Sequence, residues 1–80
     1  MKLWIGNLDP QTSDEELREL LGRYTKLRVL SIVRHPGDGT RPAAMLEVDG
    51  GDIVALDAAQ RRLHNMYWKN RALHVAIPSR

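Results

Sequence analysis

The order of strand-like and helix-like segments is the feature that most restricts how this 80-residue chain can fold. Short apolar runs typical of strands occupy residues 3–5, 27–33 and 43–48, and residues 71–77 alternate between two sides. Apolar residues at intervals of three and four, typical of helices, follow the first and third runs. The chain therefore predicts the element order βαββαβ.

Both predicted helices begin at recognisable N-terminal signals. Ser13 followed by Glu16 is a capping-box pattern, and Asp52 supplies a capping side chain after Gly50 and Gly51. The expected buried stripes are Leu17, Leu20, Leu21 and Tyr24 in the first helix and Leu56, Ala59 and Leu63 in the second. Each helix therefore has one apolar face to bury.

This element order is that of a split βαβ unit, in which two helices cover one face of a four-stranded antiparallel sheet. The expected fold class is α+β, a ferredoxin-like βαββαβ sandwich. A chain this short buries only about 60 to 65% of its unfolded surface, so residues 1–80 are expected to form one domain with one core. The second face of the sheet is expected to be open.

Composition argues against several classes of protein. Apolar residues make up 42% of the chain and charged residues 28%, which is ordinary for a soluble domain and unlike disordered or collagenous chains. There is no cysteine, so neither a disulfide framework nor a thiolate metal site is expected. No segment approaches the roughly 20 apolar residues of a membrane span, and the first residues are too short for a signal peptide. A cytoplasmic location is expected.

Charge is distributed unevenly although the net charge is only +2. Four of the ten acidic residues lie together at the start of the first predicted helix, whereas many basic residues lie in or beside predicted strands. This separation suggests an anionic partner, but a solvated surface has the same pattern.

Residues 3–8, LWIGNL, resemble the hexapeptide signature of RNA-recognition motifs, which reads aliphatic, aromatic, aliphatic, any residue, Asn, Leu. Residues 63–65 and 71–75, LHN and RALHV, are similar to the family's usual Leu-Asn-Gly and Gly-Arg-x-Leu-x-Val. The similarity extends over essentially the whole chain. It implies a domain that binds single-stranded RNA, with no enzymatic activity and no cofactor.

The octapeptide signature of the family is matched less well by residues 41–48, RPAAMLEV. Arg41, Ala44 and Leu46 keep the pattern, whereas Ala43 and Met45 stand where two stacking aromatics are usual. Only Trp4 remains of the family's base-stacking residues. Because stacking on one aromatic contributes roughly 1 to 3 kcal/mol, losing two should cost about 2 to 6 kcal/mol, and weak binding with low specificity is predicted.

Strand alternation predicts which side chains face the open side. If Leu3 and Ile5 pack inward, Trp4 faces outward. The other outward residues are then Ser31, Val33, Ala43, Met45, Glu47, Ala72, His74 and Ala76. Glu47 would repel phosphate there. Trp68 is expected to pack beneath the turn after the second helix, and Tyr67 to point to solvent.

The candidate RNA-binding residues are Lys2, Trp4, Asn7, Arg34, Arg41, Met45 and His74. Trp4 is expected to stack on a base, as is His74, while Arg41 and the other cations contact phosphates. Met45 accepts a base edge or a partner's apolar surface, or only shields the sheet.

A protein-binding module or homodimer that uses the same apolar face is the alternative function. The surroundings of Trp4 and Met45 distinguish the two hypotheses. A protein-binding module would bury these side chains against protein, whereas an RNA-binding domain would leave them available to bases. The histidines lie far apart in sequence and no catalytic motif is present, so neither a zinc site nor an enzyme is expected, and no small-molecule substrate is implied.

Overall fold

The computed structural model describes residues 1–78 and shows two helices packed on one face of a four-stranded antiparallel sheet. The elements are β1 (Lys2–Gly6), α1 (Asp14–Tyr24), β2 (Arg28–His35), β3 (Ala43–Asp49), α2 (Ile53–Leu63), β4 (Tyr67–Trp68), β5 (Arg71–Ala72) and β6 (His74–Ala76). The sheet order is β2-β3-β1-β6. The predicted α+β ferredoxin-like fold is confirmed. Residues 79 and 80 of the predicted 1–80 domain lie outside the described residues.

The core lies between the sheet and the helices, as the two hydrophobic periodicities predict. The inward residues of β1, β3 and β6 are almost fully buried, and so are the stripe residues of both helices except Tyr24, which is half-buried against the core. These core side chains include Leu3, Ile5, Leu46, Val48 and Val75 from the sheet and Leu17, Leu20, Leu21, Leu56, Ala59 and Leu63 from the helices. This burial leaves the alternate side chains of each strand on the open face.

The start of α1 carries the predicted capping box and an ion pair from a distant loop. The backbone N–H of Glu16 donates to Ser13 Oγ at 3.1 Å, and the backbone N–H of Ser13 donates to Glu16 Oε1 at 2.9 Å. Lys69 Nζ lies 2.8 Å from Glu16 Oε2. One carboxylate therefore caps the helix and anchors the loop between β4 and β5.

We expect this carboxylate to make the stability of the domain depend on acid pH. The Lys69 ammonium and the Ser13 N–H hold the pKa of Glu16 below its ordinary value of 4.5. A group with a lowered folded-state pKa contributes stability that is present above 4.5 and is lost as pH falls through the folded pKa. Thermal unfolding from pH 7 to pH 2.5 should therefore show a smaller fall in Tm for Glu16→Gln than for the wild type. Glu15→Gln, an exposed neighbour, should keep the wild-type fall, and equal falls for all three would contradict the expectation.

The last strand differs from the prediction. The alternating residues 71–77 do not form one strand, because β5 pairs with β4 in a separate hairpin and only β6 pairs with β1. At the junction the Leu73 N–H donates to the Met66 carbonyl at 2.9 Å, and the Leu73 carbonyl accepts from the Asn65 N–H at 2.8 Å. Ala72, expected on the open sheet face, lies in the hairpin instead. Alternation shows which side chains share a side, but it does not identify the neighbouring strand.

The same hairpin bears out two other expectations. Trp68 is half-buried and packs against the core, and Tyr67 is 72% exposed. The two indoles of this protein therefore lie in different places, one on the open sheet face and one beside the helices.

Candidate nucleic-acid interface

The open face of the sheet carries its side chains in three rows that run across the strands. The strand register aligns Ser31 with Glu47 and Lys2 in the first row, and Val33 with Met45, Trp4 and Ala76 in the second. The third row pairs His35 with Ala43 and Gly6 with His74. Extending the register of β1 and β3 by one residue places Gly6 beside Ala43.

The indole of Trp4 extends toward the third row, where the two middle residues are small. Trp4 Nε1 lies 3.3 Å from the position that a Cβ atom on Gly6 would take. The ring centroids of Trp4 and His35 are 5.1 Å apart with an angle of 49° between their planes. Ala43 is only 6% exposed although it faces the open side. A larger residue at position 6 or 43 would compete with these rings for space.

His35 is the residue on this face that the sequence analysis missed. The predicted second strand ended at Val33, whereas β2 continues to His35 and stops before Pro36. The signal was present, because continuing the alternation of Ser31 and Val33 by two residues brings His35 outward. The helix-breaking and strand-breaking Pro36 marks where the strand has to end.

The second row is apolar and partly exposed. Met45 is the register partner of both Trp4 and Val33, so the structure brings these three side chains together. Trp4 and Met45 are half-buried, and Val33 is 57% exposed. The row therefore offers apolar surface on either side of β3.

The loop between β2 and β3 borders the third row and presents Arg41. Arg41 is exposed, and its charge adds to the two Thr40 hydrogen bonds in lowering the pKa of Asp38 in the same loop. The backbone beside it is held, because Arg71 Nη1 donates to the Thr40 carbonyl at 2.6 Å and to the Leu8 carbonyl at 2.8 Å. The Leu8 N–H donates to the Pro42 carbonyl at 2.9 Å. Arg41 is therefore an exposed cation on a fixed stretch of backbone.

Two of the candidate residues lie away from the three rows. Arg34 is the register partner of Ala44, which points to the helices, and its guanidinium binds Asp14 Oδ1 at 2.8 Å and the Thr12 carbonyl at 2.9 Å. Asn7 has a φ of 58° at the end of β1, and its Nδ2 donates to the Ala72 carbonyl at 2.8 Å. The structure thus gives both side chains contacts within the domain and does not bring them to Trp4.

The model of the RNA recognition motif family matches residues 3–74, nearly the whole chain. The chain belongs to this family. Its members are RNA-binding domains, so membership supports RNA binding in general and a binding module rather than an enzyme. A comparison with curated proteins found no significant match.

In this RNA recognition motif, the one carboxylate expected on the open face is paired. Glu47 Oε2 lies 2.7 Å from the N-terminal ammonium, which holds the pKa of Glu47 low, with a smaller contribution from Lys2. Lys2 is exposed opposite Glu47 in the first row. The first row is about 13 Å from the third at roughly 3.3 Å per residue, so the negative charge is offset and lies at the other end of the face from His35.

His74 occupies the other end of the third row of the RNA recognition motif. It is exposed on β6, and its ring meets that of His64 edge to face with centroids 5.1 Å apart. His64 in turn accepts a hydrogen bond from the Val75 N–H at its Nδ1, at 3.0 Å. This bond satisfies a backbone N–H at the unpaired edge of β6, so His64 has a structural contact. His74, in contrast, is exposed to solvent.

Two further observations concern residues 1–78 of the RNA recognition motif. Within that range no group of three or more His, Cys, Asp or Glu side chains is placed to hold a metal ion. Neither of the helices described is long and apolar enough to span a membrane.

Proposed function

We propose that this RNA recognition motif binds single-stranded RNA on the open sheet face, weakly and with little sequence preference. The observation that carries the proposal is the Trp4 indole, half-exposed on that face and next to the loop that presents Arg41. Aromatic rings stack with any base, and each stack contributes roughly 1 to 3 kcal/mol. A cation beside such a ring can contact the RNA backbone.

Weak binding is supported by the scarcity of available cations near the indole. Lys2 and Arg41 are exposed on the open face and its loop. Four other basic residues of the strands and adjoining loops make contacts within the domain: Arg28 with Asp49, Arg34 with Asp14, Lys69 with Glu16, and Arg71 with two carbonyls. With two phosphate contacts to a single strand, the logarithm of the binding constant falls with the logarithm of the salt concentration with a slope of only about −1.4. Electrostatic attraction therefore adds little to the stacking.

Low specificity follows from the chemistry of the same face. The Ala43 side chain has no hydrogen-bonding group and Met45 has only a weakly accepting thioether, while stacking on Trp4 accepts every base. Phosphate contacts carry no sequence information. The histidines of the third row can form hydrogen bonds with a base.

Association with protein, including a second copy of this chain, is the second candidate function. The observation in its favour is the second row, where Val33 is 57% exposed beside Met45. Exposed apolar patches of this kind are found at protein contacts. RNA binding is preferred because family membership supports it directly.

An NMR titration with labelled protein and a random-sequence single-stranded octaribonucleotide at low salt tests the proposal. We expect the Trp4 indole and the amides of β1 and β3 to shift together, because they lie on the open face. The Trp68 indole, half-buried beside the helices, is an internal control and should stay in place. A duplex RNA of equal length should leave the open face unshifted.

Two outcomes would oppose the proposal. If no open-face resonance moves at millimolar single-stranded RNA, this face does not bind RNA. If the Trp4 indole instead shifts when the free protein is diluted, the second candidate, self-association through the apolar row, accounts for the face.

A further inference from the structure

We propose that His35 forms a second nucleotide-binding ring beside Trp4, and that it takes the place of the aromatic residue that position 43 lacks. The inference rests on the proposed function and deepens it. It identifies the surface as a two-ring site for two successive nucleotides rather than a single stacking residue.

The strand register brings His35 to the space that an aromatic at position 43 would occupy. His35 and Ala43 are directly opposite each other on β2 and β3 and face the same side. Directly opposite side chains begin about 4.5 to 5.5 Å apart in an antiparallel pair. The imidazole on β2 therefore starts within one side-chain width of Ala43 and can extend over it.

The space over Ala43 is covered by neighbouring side chains. Ala43 is 6% exposed on a face that is otherwise partly open. The rings of Trp4 and His35, which flank β3 from either side, approach to 5.1 Å between centroids. Two rings from the strands on both sides of β3 can meet only if the side chain between them is small. The alanine that weakens the family signature is thus the residue that permits this ring pair.

The angle between the rings suits two nucleotides rather than one. The planes of Trp4 and His35 are inclined by 49°, so they do not form one flat surface. A base stacked on the indole leaves the imidazole facing a neighbouring nucleotide. His35 is exposed, and its ring nitrogens can donate or accept hydrogen bonds in addition to stacking.

The adjoining loop places a cation near this ring pair. His35 ends β2 and Ala43 begins β3, so both ends of the loop that carries Arg41 lie at the third row. Arg71 holds the Thr40 carbonyl and thereby fixes the backbone next to Arg41. A phosphate that links nucleotides on the two rings would lie at the end of the sheet where the loop that carries Arg41 begins and ends.

The test compares binding of a fluorescein-labelled random octaribonucleotide by the wild type and four variants at low salt. His35→Ala should bind about tenfold more weakly, as expected for the loss of one base-stacking ring. His35→Phe keeps a ring and should bind within about threefold of the wild type. Tyr67→Ala removes an exposed ring in the β4–β5 hairpin, away from the four-stranded sheet, so it is the matched control and should bind as the wild type does. Trp4→Ala reports on the proposed function itself.

A second measurement shows whether the His35 ring contacts RNA itself or only holds the Trp4 indole in position. NOEs between the His35 ring protons and the ribonucleotide are expected in the wild-type complex. If Trp4→Ala weakens binding but His35→Ala does not, or if these NOEs are absent while the Trp4 indole contacts RNA, the two-ring site is wrong and the proposed function stands. If the wild type does not bind single-stranded RNA, or Trp4→Ala does not weaken binding, both are wrong.

Discussion

Trp4→Ala is expected to weaken binding of single-stranded RNA by about 5- to 150-fold while the domain stays folded. The range corresponds to the roughly 1 to 3 kcal/mol that one stacked base contributes. Trp4 faces away from the core and is half-buried, so its removal uncovers Ala43 and Gly6 but leaves the interface between helices and sheet intact. Fluorescence anisotropy of a labelled octaribonucleotide, at 50 mM salt or below, gives the affinities.

Tyr67→Ala is the matched control for this prediction. Tyr67 is an aromatic residue that is 72% exposed, but it lies in the β4–β5 hairpin and not in the four-stranded sheet. Its replacement should change the affinity by less than about twofold if stacking on the sheet determines binding. Equal losses for Tyr67→Ala and Trp4→Ala would show that RNA binds by general contact with aromatic surface and not on the open face.

Leu46→Ala is expected to destabilise the domain more than any change on the open face. Leu46 is fully buried on β3, and its register partners are Leu3 on β1 and Ile32 on β2. Replacing a buried leucine by alanine costs about 2 to 5 kcal/mol, because apolar contacts are lost and a cavity remains. An 80-residue domain has a total stability of about 4 to 12 kcal/mol, so a large fraction of it is lost. Urea unfolding followed by circular dichroism measures the change.

Leu30→Ala makes the same chemical change at an exposed site. Leu30 is 55% exposed at the irregularity of β2 between Val29 and Ser31, where it has no register partner on β3. Its replacement should change the free energy of unfolding by about 0.5 kcal/mol or less. If the two variants lost similar stability, the assignment of Leu46 to the core would be wrong.

The destabilised variant also bears on function. The spacing of Trp4, Met45 and His35 depends on strand pairing, and strand pairing depends on the core beneath β3. Leu46→Ala should therefore weaken RNA binding in proportion to the unfolded fraction, with no loss of affinity in the molecules that remain folded. Measuring the RNA affinity and the unfolded fraction at both 10 °C and 30 °C distinguishes partial unfolding from a direct effect on the site. With partial unfolding alone, the affinity falls only as far as the unfolded fraction rises.

The strand register changes the conclusion drawn from the missing aromatics of the octapeptide. The sequence alone indicates a surface with one ring, because Ala43 and Met45 replace two aromatics. The structure shows a ring pair in which the second ring comes from β2. A signature that follows one strand cannot detect a residue supplied by its neighbour.

Local patterns in the sequence were sufficient for both helices, the first three strands and the core. The capping box of Ser13 and Glu16, the helical stripes and the alternation of β1 and β3 all appear in the structure as predicted. These features depend on neighbours within four residues along the chain, so a single sequence contains the needed information. The outward positions of Trp4 and Met45 follow from the same alternation.

Features that depend on distant segments were decided by the tertiary structure. The approach of His35 to Trp4, the contacts of Arg34 with Asp14 and the hydrogen bond from Arg71 to Thr40 each join residues 20 or more positions apart. Period-two alternation assigns a side chain to one face of a strand, but it does not specify which strand lies beside it or where pairing changes. The sequence by itself therefore determined the βαββαβ order, the buried core and an open face bearing Trp4. Only packing of the strands in the order β2-β3-β1-β6 could place His35 beside that indole and take Arg34 away from it.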